Sequence, residues 1–96
     1  MNTLTESDIK DRLAELSGWR VKKGVLHKEF SFEDFKAAFA FMAKLSRQAE
    51  KLNHHPDWSN SYNKVSISLV SHSVGGITEK DFAFAQAADK AARKFQ

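Results

Sequence analysis

Apolar residues recur along this chain with two different periods, and the alternation between them predicts the architecture. Ile9, Leu13 and Leu16 fall at helical spacing until Ser17-Gly18 stops the run. Phe35, Phe39, Met42, Leu45, Ala49 and Leu52 step by 4, 3, 3, 4 and 3, predicting a long helix to about Asn53. Phe84, Ala88, Ala91 and Phe95 mark a third helix. Each helical run is preceded by a hydroxyl three residues ahead of a carboxylate: Thr5 to Asp8, Ser31 to Asp34 and Thr78 to Asp81. This is the capping-box pattern with Asp in the Glu/Gln place, and it puts negative charge at the positive end of the helix dipole.

Between the helices the period drops to two. Trp19-Arg-Val-Lys22, a turn at Lys23-Gly24 and Val25–Phe30 predict one hairpin; Asp57–Ser61, a turn near Tyr62-Asn63 and Lys64–His72 predict another. In the last strand Val65, Ile67 and Leu69 share one face, while Ser66, Ser68, Val70 and His72 share the other. The predicted order is α-β-β-α-β-β-α, an α+β fold with a four-stranded antiparallel sheet and helices packed on one face. Residues 1–96 read as one domain, with no linker or repeat.

Composition narrows the chemistry. The 96 residues include eight Phe and two Trp, enough bulk for a dense small core, and no Cys. A disulfide scaffold, a thiolate zinc site and a cysteine nucleophile are thereby excluded. No apolar run is long enough to span a membrane, and the stretch MNTLTESDIKDRL carries no leader pattern, so a cytoplasmic location is expected. Fifteen basic against twelve acidic residues give a net charge of +3. Residues 1–48 hold nine Lys/Arg and seven Asp/Glu, and residues 49–96 hold six and five, so no basic arm points to nucleic acid.

Three of the four histidines fall where periodicity does not explain them. His54 and His55 follow the long helix and precede Pro56, which disfavours helix at His55. His72 closes the last predicted strand, ahead of the Gly-bearing connection Ser73-Val-Gly-Gly-Ile77. Imidazole is the side chain best suited to proton exchange near neutral pH, and the ends of elements are where a scaffold presents such groups. A surface role, or a favourable contact with a helix dipole, is the plainer alternative. A three-His zinc site ranks lower, because no nearby Asp or Glu completes a metal spacing. Glu50, one helical turn before His54, could orient an imidazole or be a solvated charge. Trp58 could stack on a planar ligand or belong to the core. Asp81 has a structural role as the third residue after its N-cap, His27 reads as an exposed strand residue, and Gly75-Gly76 lacks the pattern of a phosphate loop.

Together, Glu50-Lys-Leu-Asn-His-His-Pro-Asp-Trp58, Tyr62-Asn-Lys-Val-Ser-Ile-Ser-Leu69, Ser71-His72 and Gly76-Ile-Thr-Glu-Lys-Asp81 resemble the pterin-4a-carbinolamine dehydratase family across nearly the whole chain. Ser71 stands where the family often has Thr, and Asn53 where some members have Asp. The resemblance implies a lyase that expels the 4a-hydroxyl of 4a-hydroxytetrahydrobiopterin, or a related carbinolamine, as water. The product is quinonoid dihydropterin, recycled for a pterin-dependent aromatic amino acid hydroxylase. No cofactor or metal is implied. The match makes His54 the general acid at the 4a-hydroxyl and His55 the base at N5 or its partner. It makes His72 a pterin-positioning residue that assists proton transfer, and Glu50 the group that sets the charge of the histidines. Backbone around His54–Pro56 and Ser71–Val74, including Ser73, would bind the pterin's amide edge, with Trp58 nearby. A homodimer or dimer of dimers is also implied. The alternative function is a protein-binding module, since some members serve as dimerisation cofactors of a homeodomain transcription factor.

Overall fold

The computed structural model describes residues 3–96; Met1 and Asn2, which begin the stretch read for a leader, lie outside the described residues. Its elements are α1 (Glu6–Leu13), β1 (Arg20–Lys22), β2 (Val25–Ser31), α2 (Phe35–Leu52), β3 (Asp57–Ser61), β4 (Lys64–Leu69) and α3 (Glu79–Ala92), in the predicted order. Two of the three capping boxes form. Thr5 Oγ1 accepts the Asp8 N–H at 3.1 Å while Asp8 accepts the Thr5 N–H, and Asp81 accepts the Thr78 N–H at 2.8 Å. The box expected over Ser31–Asp34 does not. Ser31 stays in β2 opposite Lys64, and the buried Phe32 extends the chain by donating its N–H to Asn63 O. The helix therefore starts later, with Asp34 as its N-cap accepting from Ala37 N at 2.8 Å.

α1 and α3 stop at Leu13 and Ala92, short of the expected Leu16 and Phe95. Three-residue turns continue each helix, and both side chains still pack against the core. Apolar spacing thus recorded the packing rather than the helical bonding. Trp19 precedes β1 and is buried, its indole N–H donating to Asp89 at 3.0 Å. Lys28, on the helix side of β2, pairs with the same carboxylate at 2.9 Å and lies over the Phe30 ring. This buried-edge contact ties α3 to the sheet.

The sheet runs β1-β2-β4-β3 with every pair antiparallel. The register sets Phe30 opposite Val65, Leu26 opposite Leu69 and Trp58 opposite Ile67, so one face is apolar and the helices cover it. The β1–β2 turn needs positive φ at both Lys23 and Gly24, which the glycine takes without a Cβ penalty. Phe30, Phe32 and Phe41 close the core between sheet and α2, with ring centroids 5.1 and 4.9 Å apart across Phe41. Each fully buried side chain of this size contributes about 1.5–3 kcal/mol. Among the described residues no helix is long and apolar enough to cross a membrane.

Candidate active site

The site begins with the end of α2. Asn53 adopts the left-handed conformation at φ 51°, ψ 47°, which Asn tolerates better than most residues. The His54 N–H then bonds back to Ala49 O at 2.9 Å, and the chain reverses before Pro56 and β3. This reversal sends His54 and His55 in different directions. His54 turns inward, its side chain only 11% exposed, to the first turn of α3. His55 turns outward.

His54 Nε2 lies 2.5 Å from Asp81 Oδ1. Asp81 is fully buried, and its other oxygen accepts from Thr78 N at 2.8 Å and Ser71 Oγ at 3.0 Å. An ionised carboxylate only accepts, so Nε2–H of His54 is the donor and Nδ1 is the ring nitrogen left free. Ser71 gives its one proton to Asp81, so the Thr78 hydroxyl, 2.7 Å away, donates to Ser71. Among the described residues no buried side-chain polar atom is left without a partner. The network therefore holds the imidazole at a single orientation while satisfying a charge that would be costly to bury alone.

β4 ends at Leu69, not at the expected His72, because the strand gives way to a tight loop closed by a Ser71–Gly76 bridge. Val74, Gly75 and Gly76 N–H groups all point to Ser71 O, with Gly75 at φ 68°. His72 stands exposed on that loop, its Nε2 3.2 Å from Asp57 Oδ2 at the start of β3. His54 and His72, with Asn53, Ser71, Ser73 and Lys80, line one hollow of about 270 Å³. His55 lies in a second cleft of about 430 Å³, with Glu50, Pro56, Trp58 and Arg47. The two hollows flank the His54–His55 dipeptide. Val74 is exposed and lines neither, and His27 sits in β2, bonded to Ser68 Oγ at 3.0 Å.

Glu50 does not meet His54. Its carboxylate accepts from His55 Nε2 at 2.6 Å, in a pair that is largely exposed. The four-residue spacing presumed that helix continues through His54, and the left-handed Asn53 ends it first. Asp81, given only its cap in the sequence, is the carboxylate that His54 finds. A signal for it existed: Asp81 falls in phase with Phe84, Ala85 and Ala88, the buried stripe of α3, and a carboxylate on such a stripe must be partnered. Among the described residues no three His, Asp or Glu side chains are grouped so as to hold a metal ion.

Comparison with known proteins bears on the family and the fold. Residues 2–91 match the family described as Pterin 4 alpha carbinolamine dehydratase. A protein of Solibacter usitatus, named as a candidate pterin-4-alpha-carbinolamine dehydratase, is 49% identical over 86 residues, 90% of each chain. One of Christiangramia forsetii with the same name is 45% identical over 87 residues, 91% of this chain and 90% of its own. Among solved structures, a transcriptional coactivator/pterin dehydratase from Brucella melitensis superposes with a TM-score of 0.93 at 42% identity, over 95% of this chain and 99% of that one. A pterin dehydratase-like protein identified as a RuBisCO assembly factor in the alpha-carboxysome gives 0.65 at 27% identity, covering 77% and 86%.

Proposed function

The chain belongs to the pterin 4 alpha carbinolamine dehydratase family, and from that premise we propose that it dehydrates a pterin-4a-carbinolamine by histidine acid–base catalysis. The observation that carries the reading is His54, fixed on a buried carboxylate, opening with His72 onto one hollow. In the reaction the C4a–OH bond breaks, the oxygen takes a proton and leaves as water, and N5 gives up its proton as the N5=C4a double bond forms. No electron leaves the substrate, so an acid and a base suffice. His54 is the acid, protonated on both nitrogens: Nε2–H stays on Asp81 while Nδ1–H is delivered to the departing hydroxyl. Asp81 is its positioning residue and stabilises the imidazolium. His55, across the dipeptide, is the base at N5, with Glu50 holding its Nε2–H so that Nδ1 is the acceptor. His72 and the Ser71–Ser73 backbone position the ring, and Trp58 borders its outer edge. The substrate would come from a pterin-dependent aromatic amino acid hydroxylase.

The test is stopped-flow absorbance of quinonoid dihydropterin formed from the 4a-carbinolamine, with and without the purified protein. Acceleration that scales with protein concentration is expected; a rate equal to the spontaneous background would overturn the proposal.

A second role in protein binding is favoured by one surface. Phe35 and Phe39 are 48% and 58% exposed on α2, their rings 5.8 Å apart. Two solved relatives, one named as a transcriptional coactivator/pterin dehydratase and one as a RuBisCO assembly factor, support a role of this kind. Capture of the same partner by wild-type and His54→Ala protein, lost in Phe39→Ser, would support it; no loss in Phe39→Ser would remove it.

A further inference from the structure

A second charged feature lies between α2 and α3, in a groove of about 410 Å³ that shares no lining residue with either histidine hollow. Lys44 and Lys51 enter it from α2, two helical turns apart, and Lys90 and Lys94 from the last turn of α3 and the turn that follows it, four residues apart. Gln48 lies between the first two, and the small Ala87 and Ala91 leave room beneath the ammonium groups. No carboxylate lines the groove. Elsewhere the protein pairs its cations where carboxylates reach, as in Arg12–Glu79, Lys28–Asp89 and Lys64–Glu29. Among the described residues these four lysines form no salt bridge or side-chain hydrogen bond of that kind.

The concentration is a product of the fold. Intervals of 7, 39 and 4 residues separate the four lysines, so the sequence shows no basic block and each half of the chain is nearly neutral. The ammonium of Lys94 lies close enough to Lys44 to hold its pKa below the ordinary lysine value, with burial, Arg47 and Lys90 acting in the same direction. A favourable contact with a helix C-terminus accounts for Lys51 and Lys90, which stand in last turns. It does not account for Lys44, in the middle of α2. Like charges gathered without a counter-ion repel, and a multivalent anion relieves several repulsions at once.

We propose that the α2–α3 groove is a binding site for a small polyphosphate, an anion carrying two or more linked phosphate groups, as inorganic tripolyphosphate or a nucleotide tail does. A single phosphate engages one lysine pair; linked phosphates reach lysines on both helices. The site is independent of the dehydration reaction.

The test is titration of the full chain with inorganic tripolyphosphate, followed by amide NMR and calorimetry at fixed ionic strength, with inorganic phosphate as the comparison. Shifts confined to residues 44–51 and 87–94 are expected, with affinity falling as salt rises. Lys44→Gln/Lys94→Gln should weaken binding by roughly tenfold or more through lost charge-assisted hydrogen bonds, and Lys22→Gln/Lys23→Gln should not. All four replaced side chains are at least partly exposed, and circular dichroism checks that both variants fold. Shifts scattered over the surface, equal affinity for inorganic phosphate, or unchanged binding by the folded Lys44/Lys94 variant would overturn the proposal. So would tighter binding of a single-stranded oligonucleotide with shifts spreading onto the sheet, which would replace the small ligand with nucleic acid.

Discussion

Replacing Asp81 by Asn changes one atom and reverses a hydrogen-bond direction. The carboxylate accepts from three donors, His54 Nε2–H, Ser71 Oγ–H and Thr78 N–H. An amide offers one acceptor oxygen and an NH2 group. Turned so that oxygen keeps Thr78 and Ser71, it presents NH2 to His54 Nε2, which must then accept and carry its proton on Nδ1. The imidazolium loses the carboxylate that stabilises it, and the fixed tautomer becomes the wrong one. Losing a group that supports acid–base catalysis in this way should lower turnover by about 10²–10⁴-fold. The lost charged hydrogen bond should cost about 1–3 kcal/mol. For a domain of this size each kcal/mol lowers Tm by roughly 4–8 °C. Asn is more informative than Ala, which strands the buried His54 and Thr78 N–H groups. At about 1–3 kcal/mol each, that loss is large against a total stability of about 5–15 kcal/mol. Stopped-flow turnover, a thermal melt and imidazole nitrogen NMR read the three effects. Turnover within about threefold of wild type, or His54 still protonated at Nε2 in the neutral form, would refute the reasoning.

His54→Ala and His55→Ala should each lose about 10²–10⁴-fold in turnover, His54→Ala should also lower Tm because the buried Asp81 loses a donor, and the double variant should fall short of additivity if both histidines serve one proton path. Steady-state kinetics checks this, and full additivity would separate the two roles. His72→Ala should raise KM more than it lowers kcat, because its ring faces the hollow from an exposed loop. Glu50→Ala should be the mildest change, since a largely exposed pair is worth only about 0.2–1 kcal/mol. Light scattering should find a homo-oligomer, with the exposed Phe35 and Phe39 and the edge strands β1 and β3 as available surfaces. A monomer mass at all concentrations would contradict it.

The sheet was legible because a period of two can bury only one face: Val65, Ile67 and Leu69 are fully buried, and alternate residues are not. Thr5 and Thr78 were legible because a capping box is closed within four residues. Ser31 misled for the opposite reason, since nothing local reveals that Phe32 is needed in the core before a helix can begin. The site was readable as residue types and much less as partnerships. His54 and Asp81 are 27 residues apart and meet only because Asn53 reverses the chain, which also hands Glu50 to His55. The lysine groove was invisible for the same reason: two helices far apart in the chain supply it.

The most direct test of the central claim is a crystal structure with 7,8-dihydrobiopterin, which lacks the 4a-hydroxyl and cannot be dehydrated. The account predicts the ring across the His54–His55 dipeptide, with C4a about 3–4 Å from His54 Nδ1, the separation that a hydroxyl hydrogen-bonded between them would bridge. His72 should lie along its edge, and the Asp81–His54 hydrogen bond should be retained. A pterin bound away from His54, or a His54 ring turned off Asp81 in the complex, would contradict it.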